Sequence, residues 1–261
     1  MIVRFCFLRV LSLALFFLLL ILSGKGYSMD SHLFRFKFEN GAKYIYDIWI
    51  NGFVETYLPN GINKSPVNIR MQVEQKTIES TASNTKAKFE MYFKEVKMIS
   101  GSDSQTLPEE GTKLVFEQDI SGNTSTLSNA SGWQSVSFSS LVFPENPIKP
   151  GDHWISSTKV NLQIPMDNRI KYVFTKVTKA KGRNVAIFTT ELLVPEAEVE
   201  KIAPPSQMKT SGRVVFDMDL GQIHSVESDS VFGFSIPIPE LNLPVFTRTS
   251  IKTVMKLSSA N

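Results

Sequence analysis

The chain reads as an all-β protein of antiparallel strands. Three features predict this: long runs in which apolar and polar residues alternate with period two, turn residues between those runs, and almost no helical periodicity. Strict alternation buries one face of a strand and wets the other, the pattern of antiparallel sheets. The predicted architecture is two pseudo-repeated halves, 29–135 and 136–261, packed as one domain. They would form a curved sheet, a half-barrel or a sandwich, with at most one short helix.

The first segment, residues 1–28, stands apart. Arg4 and Arg9 precede an apolar run from Val10 to Leu22, and small or polar residues follow up to Gly26-Tyr27-Ser28. Charge, a short apolar stretch and then small residues is the layout of a signal peptide. The run is shorter than the roughly 20 apolar residues of a membrane span, so cleavage is expected between Lys25 and Asp30. Cys6 lies before the run, where it cannot be a lipidated cysteine. Removing Arg4, Arg9 and Lys25 takes the chain from 28 Lys+Arg against 25 Asp+Glu to 25 against 25. No net positive field remains to attract nucleic acid, and no polybasic stretch to attract anionic lipid. The remainder has no cysteine, which excludes disulfides, thiolate chemistry and cysteine-ligated zinc.

Phe34, Phe36 and Phe38 alternate with Arg35, Lys37 and Glu39 before Asn40-Gly41, which reads as a strand entering a hairpin turn. Val67 to Val73 and Ala87 to Phe93 are two alternating strands joined through a Ser/Thr/Asn-rich loop at Asn84. Lys171–Phe174 and Val185–Phe188 flank a hairpin connection at Lys181-Gly182-Arg183-Asn184. Val214–Phe216 turns through Asp219-Leu220-Gly221-Gln222 into Ile223–Val226, and Thr247–Leu257 has the β-branched content of a final strand. Pro195 to Ala203 is the one helical candidate, with Pro195 in its first turn. The two halves echo each other: Gly41, Gly111 and a strand to Phe116 in the first, Gly151, Gly212 and a strand to Phe216 in the second.

The most distinctive string is Phe143-Pro144-Glu145-Asn146-Pro147-Ile148-Lys149-Pro150-Gly151-Asp152-His153-Trp154. Its prolines fix φ and remove donors, so it reads as an extended connection. Gly151 and Asp152 then turn the chain, and a buried Trp154 enters the next strand. Asp152 and His153 would be the acid–base pair of an enzyme, but adjacent strand residues point to opposite faces, which favours a structural corner. This string resembles the Phe-Pro-x-x-Pro-x-x-x-Gly-Asp-x-Trp segment of an uncharacterised, domain-of-unknown-function family of exported bacterial proteins. Gly41-Ala42-Lys43-Tyr44-Ile45-Tyr46 is similar to that family's opening strand, with one extra residue after Gly41. Gly212, Phe216, Asp217, Gly221 and Ile223 are similar to its closing hairpin, and Val231 to Phe246 is a departure. The resemblance implies export and β-structure, and it brings no catalytic residues with it.

His32, His153 and His224 have no paired spacing, Asp217-x-Asp219-x-Gly221 lacks the rest of a calcium loop, and no Gly-x-Ser-x-Gly occurs. No catalytic residue, metal site or cofactor is therefore assigned. Val231 to Phe246 is apolar yet interrupted by Pro237, Pro239 and Pro244, so it is expected as a plug over the sheet, the mobile rim of a cavity or a contact surface for another protein. Its candidate contact residues are Phe232, Phe234, Ile236, Leu241 and Phe246. The expected function is a non-enzymatic, exported β-scaffold of the cell envelope, in the periplasm or outside the cell, that binds an apolar or lipid-like ligand. The alternative is a structural or protein-interaction envelope protein without ligand. The expected partners are an apolar small molecule or an envelope protein, with no nucleic acid and no membrane span after signal removal.

Overall fold

The computed structural model describes residues 30–126, 141–161, 165–193, 207–238 and 243–261. The chain divides into residues 1–31 and a unit of residues 32–261, and the architecture is that of the second. The expected signal segment, the junction of the two expected halves and the Pro195–Ala203 helix lie outside the described residues.

Twelve strands form one open, curved sheet, and no helix occurs among the described residues. They are β1 (Lys43–Leu58), β2 (Gly61–Ser80), β3 (Lys86–Ser100), β4 (Asp103–Thr106), β5 (Lys113–Asp119) and β6 (Thr124–Thr126). The second set is β7 (His153–Asn161), β8 (Pro165–Ala180), β9 (Arg183–Leu193), β10 (Gln207–Asp217), β11 (Gln222–Ile238) and β12 (Leu243–Ala260). The order is β6-β5-β3-β2-β1-β12-β11-β10-β9-β8-β7, with β4 beside β3. The sheet is thus two meanders joined where the first and last strands pair antiparallel, Tyr46 against Leu257 and Tyr57 against Phe246. A single sheet replaces the sandwich alternative.

Short turns make the meanders. Lys181 and Gly182 both have positive φ, 50° and 82°, the two-residue turn whose twist matches the flanking strands. A second device recurs three times. In Glu39–Ala42, Glu109–Thr112 and Lys149–Asp152 the last N–H bonds the first C=O, with Gly41, Gly111 or Gly151 third and at φ 81°, 81° and 96°. That is a type II turn, which requires positive φ at its third residue. After each turn the glycine N–H and the next residue's C=O grip one residue of the neighbouring strand, Thr77, Phe93 or Phe174. Each gripped residue adjoins a shift of register. The echo between the halves is therefore a repeated corner. Gly212 does not share it, since it lies mid-strand between Thr190 and Ser228.

The alternation buries the expected face: Met71 and Val73 on β2, and Ala87, Phe89, Met91 and Phe93 on β3. What fills the hollow of the sheet differs from expectation. Val231 to Phe246 is not a plug, because residues up to Ile238 and from Leu243 continue the β11–β12 ladder. Pro237 and Pro244 fall opposite each other, so their missing donors coincide at one level rather than interrupting pairing at two.

The plug is instead the segment around Phe34–Phe38, expected as a ladder strand. Phe34, Phe36 and Phe38 are all buried. The segment's backbone bonds go to several places: His32 pairs with Ile148, the Phe36 N–H reaches Ile120 O, and the Lys37 N–H reaches Gly221 O. Arg35 donates to Pro144 O and Glu145 O at 2.8 and 2.7 Å, and Lys37 Nζ to Met218 O and Asp219 O at 3.0 Å. Phe34 meets Phe143, Phe174 and Phe188 at ring-centroid distances of 5.5, 5.0 and 5.2 Å, stacked on the first and edge-on to the others. Leu141 and Phe143 complete this core.

Candidate functional site

The inner face of the sheet can be followed across the strands by register. One row, wholly apolar, is Val96, Met71, Ile48, Met255, Val226, Val214, Phe188 and Phe174. All of these are buried except the half-buried Val226. The next row runs from Met98 through Ile69, Ile50, Thr253, Ser228, Gly212 and Thr190 to Tyr172 and Trp154. Ile50 and Ile69 there pack only partly against the core. Beyond that row the long strands β2, β1, β12 and β11 continue as an arm, and β10, β9, β8 and β7 also run on beside it.

The inner face of this arm carries no ionisable side chain among its described positions. Val67, Gly52, Ile251 and Ser230 form one row, and Ser65, Val54, Thr249 and Phe232 the next. Val67, Val54, Ile251, Thr249 and Phe232 are half-buried. Val245 and Thr247, further along β12, are buried. Thr210 Oγ1 donates to Ser230 Oγ at 3.1 Å, so hydroxyls on this face satisfy one another. The surface is apolar and hydroxyl-bearing, suited to hydrocarbon and ill suited to a charge.

Glycine lets strands come close at two points on this face. A methyl group on Gly52 would overlap the Ser250 carbonyl oxygen and lie 2.8 Å from Ile251 Cα. On Gly212 it would lie 2.7 Å from Glu227 O. Without Cβ atoms at these two points the neighbouring backbones approach this closely.

The opposite face is different. Across β8 to β11 it holds a hollow of 440 Å³ lined by Lys171, Arg213, Glu191, Glu227 and Asp229. An adjoining hollow of 330 Å³ includes Lys179 and His224. Both signs of charge are interspersed there, and no group of three His, Cys, Asp or Glu able to hold a metal occurs among the described residues.

The expected contact residues divide between the two faces. Phe232 lies on the inner face, paired with Thr249. Phe234 and Ile236 are the register partners of Thr247 and Val245, and Leu241 lies outside the described residues. Phe246 is on the outer face, its ring centroid 5.3 Å from that of Tyr57. Sequence spacing alone missed Val54, Val67 and Ile251, because each belongs to a different strand and only register aligns them.

The Gly151–Trp154 corner is structural in its bonding. Asp152 Oδ2 accepts from the Lys149 N–H at 2.9 Å. Trp154 is half-buried rather than fully buried. It stacks on Tyr172 with centroids 5.2 Å apart and donates from Nε1 to Val142 O at 2.6 Å. His153 is exposed on the other face.

No family model matches the chain, and no curated protein matches it. Among solved structures it is similar to DynF from the dynemicin biosynthesis pathway of Micromonospora chersina, with 9% identity and a TM-score of 0.25 over 88% of this chain and 86% of that one. A DUF1329 family protein from Desulfovibrio piger gives 9% identity and a TM-score of 0.23, covering 85% of each chain. A domain described as outer membrane lipoprotein-sorting, from Vibrio parahaemolyticus, gives 9% and 0.21, again covering 85% of each. No residue role is carried over from them.

Proposed function

We propose that this protein is a non-enzymatic, exported β-scaffold of the cell envelope, and that it binds an apolar, lipid-like ligand against the inner face of the β2-β1-β12-β11 arm. The observation that carries this reading is the contrast between faces. The inner face of the arm has no ionisable side chain among its described positions, whereas the outer face of the same strands bears Lys64, Arg70, Arg248 and Lys252. Half-buried Val54, Val67, Ile251 and Phe232 offer hydrocarbon contact at roughly 25 cal/mol per Å² covered. Thr249 and the Thr210–Ser230 pair offer hydroxyls to a polar end. Export rests on the Arg4, Arg9 and Val10–Leu22 pattern. No helix among the described residues is long and apolar enough to cross a membrane.

The test is mass spectrometry of an organic extract of the purified exported chain, alongside a Phe232→Asp, Ile251→Asp double variant. The expected result is lipid with the wild type, and a folded double variant, by circular dichroism, from which that lipid is lost. Wild-type protein without extractable lipid, or a folded variant that retains it, overturns the reading.

A further inference from the structure

The outer face of the arm has an order that no single strand shows. At the tip, where Pro59 and Asn60 turn β1 into β2, one cross-strand row is Ile62, Tyr57 and Phe246. Ile62 is 61% exposed, the most exposed of the large apolar side chains that stand out in the structure. The row behind it is Lys64, Glu55 and Arg248. Lys64 Nζ bonds Glu55 Oε1 at 3.2 Å and lies 3.5 Å from the Phe53 ring centroid, one row further back. Lys64 and Glu55 thus engage each other, and Arg248 makes no ion pair among the described residues. Arg70, beside Trp49, and Lys252, beside Asn51 and opposite Asp229, extend the cations down the arm.

An apolar, aromatic tip with cations directly behind it matches the layering of a bilayer surface. Hydrocarbon and aromatic rings enter the boundary while amphipathic cations reach the headgroups. Each cation held near an anionic surface strengthens binding. We propose that this tip and its collar dock the protein on a lipid bilayer surface bearing anionic headgroups. Charge complementarity selects that partner: Lys64, Arg70, Arg248 and Lys252 face outward against three acids, Glu55, Asp229 and Glu227, the last at the level of Arg70. The docking does not depend on what the inner face holds.

The experiment is co-sedimentation of the exported chain with vesicles of phosphatidylcholine alone or mixed with phosphatidylglycerol. The wild type is expected to pellet with mixed vesicles, less so as salt rises, and to pellet less with phosphatidylcholine alone. Ile62→Asp should lower binding to mixed vesicles at least tenfold. Arg248→Ala, in the row next to the tip, should lower it about fivefold, the effect of one cation near the surface. Ile155→Asp is the control, because Ile155 is 45% exposed on β7, away from the tip. The Phe232→Asp, Ile251→Asp variant should still pellet, which separates a failure of ligand binding from a failure of docking. The proposal is overturned if the wild type stays in solution, if Ile62→Asp pellets like the wild type, or if Ile155→Asp loses as much.

Discussion

Tyr46 shows how one buried side chain links the core to solution conditions. It lies on the inner face of β1 between Tyr44 and Ile48, all three buried. Burial pushes its hydroxyl well above the ordinary 10.0, and the neighbouring Tyr44 adds to the effect. Tyr44 is also raised, by burial and then by the charge of Glu39, against a lowering hydrogen bond from Gln222. The folded state therefore holds these protons to higher pH than the unfolded chain does. Stability is unaffected below pH 10.0, where both states keep the proton, and falls as pH rises from there toward the raised folded values. The expected slope is about 1.4 kcal/mol per pH unit for each such tyrosine. Tyr46→Phe should remove one such contribution, read from urea titrations at several alkaline pH values. An unchanged slope would assign the effect elsewhere.

Among the elements, β1 is the one that joins the packed core to the uncharged face of the arm. Its alternation buries Tyr44, Tyr46 and Ile48 and then passes through Gly52 to Val54. At Gly52 the β12 backbone comes so close that no side chain fits. Because the obstructing atoms belong to backbone, they cannot rotate aside. Gly52→Ala is expected to destabilise by about 2–3 kcal/mol, at the upper end for overpacking, measured by urea denaturation. A change under about 0.5 kcal/mol, typical of free surface positions, would mean that the two strands are not so tightly apposed. The strands themselves were legible because period two survives over eight or more residues in β2 and β3. The ends of β11 and β12 were not, since prolines spaced through an apolar segment carry no record of falling opposite each other. Phe34–Phe38 erred the other way: alternation showed which side chains are buried and not that their covering surface comes from several loops and strands.

For the whole molecule, the N-terminal segment decides whether a curved sheet becomes a packed fold. Phe34 and Phe36 touch Phe143, from the connection between the halves, and Phe216, from β10, and Phe38 touches Phe89 on β3. The same stretch bonds backbone on both sides, at Ile120 and at Gly221. Emptying one such aromatic site costs about 3–5 kcal/mol, comparable with much of a domain's net stability. A chain lacking residues 30–38 should keep β-structure by far-ultraviolet circular dichroism, lose its cooperative melt, and bind anilinonaphthalene sulfonate. A truncated chain that melts as sharply and at the same temperature as the full one would show that the sheet packs without its plug.

The β class, the buried faces of β2 and β3 and the Gly41 and Gly151 turns were determined by the sequence itself, because period-two patterning and positive φ act over a few neighbouring residues. The uncharged inner face of the arm and the cationic collar were not. Val54, Val67, Ile251 and Phe232 come from four strands, and Lys64 and Arg248 from strands distant in the chain. No stretch of sequence is polybasic, yet register sets cations from β2 and β12 on either side of β1. Only the tertiary structure decides this, because pairing the first strand with the last turns sequence separation into a spacing of about 5 Å between neighbouring strands.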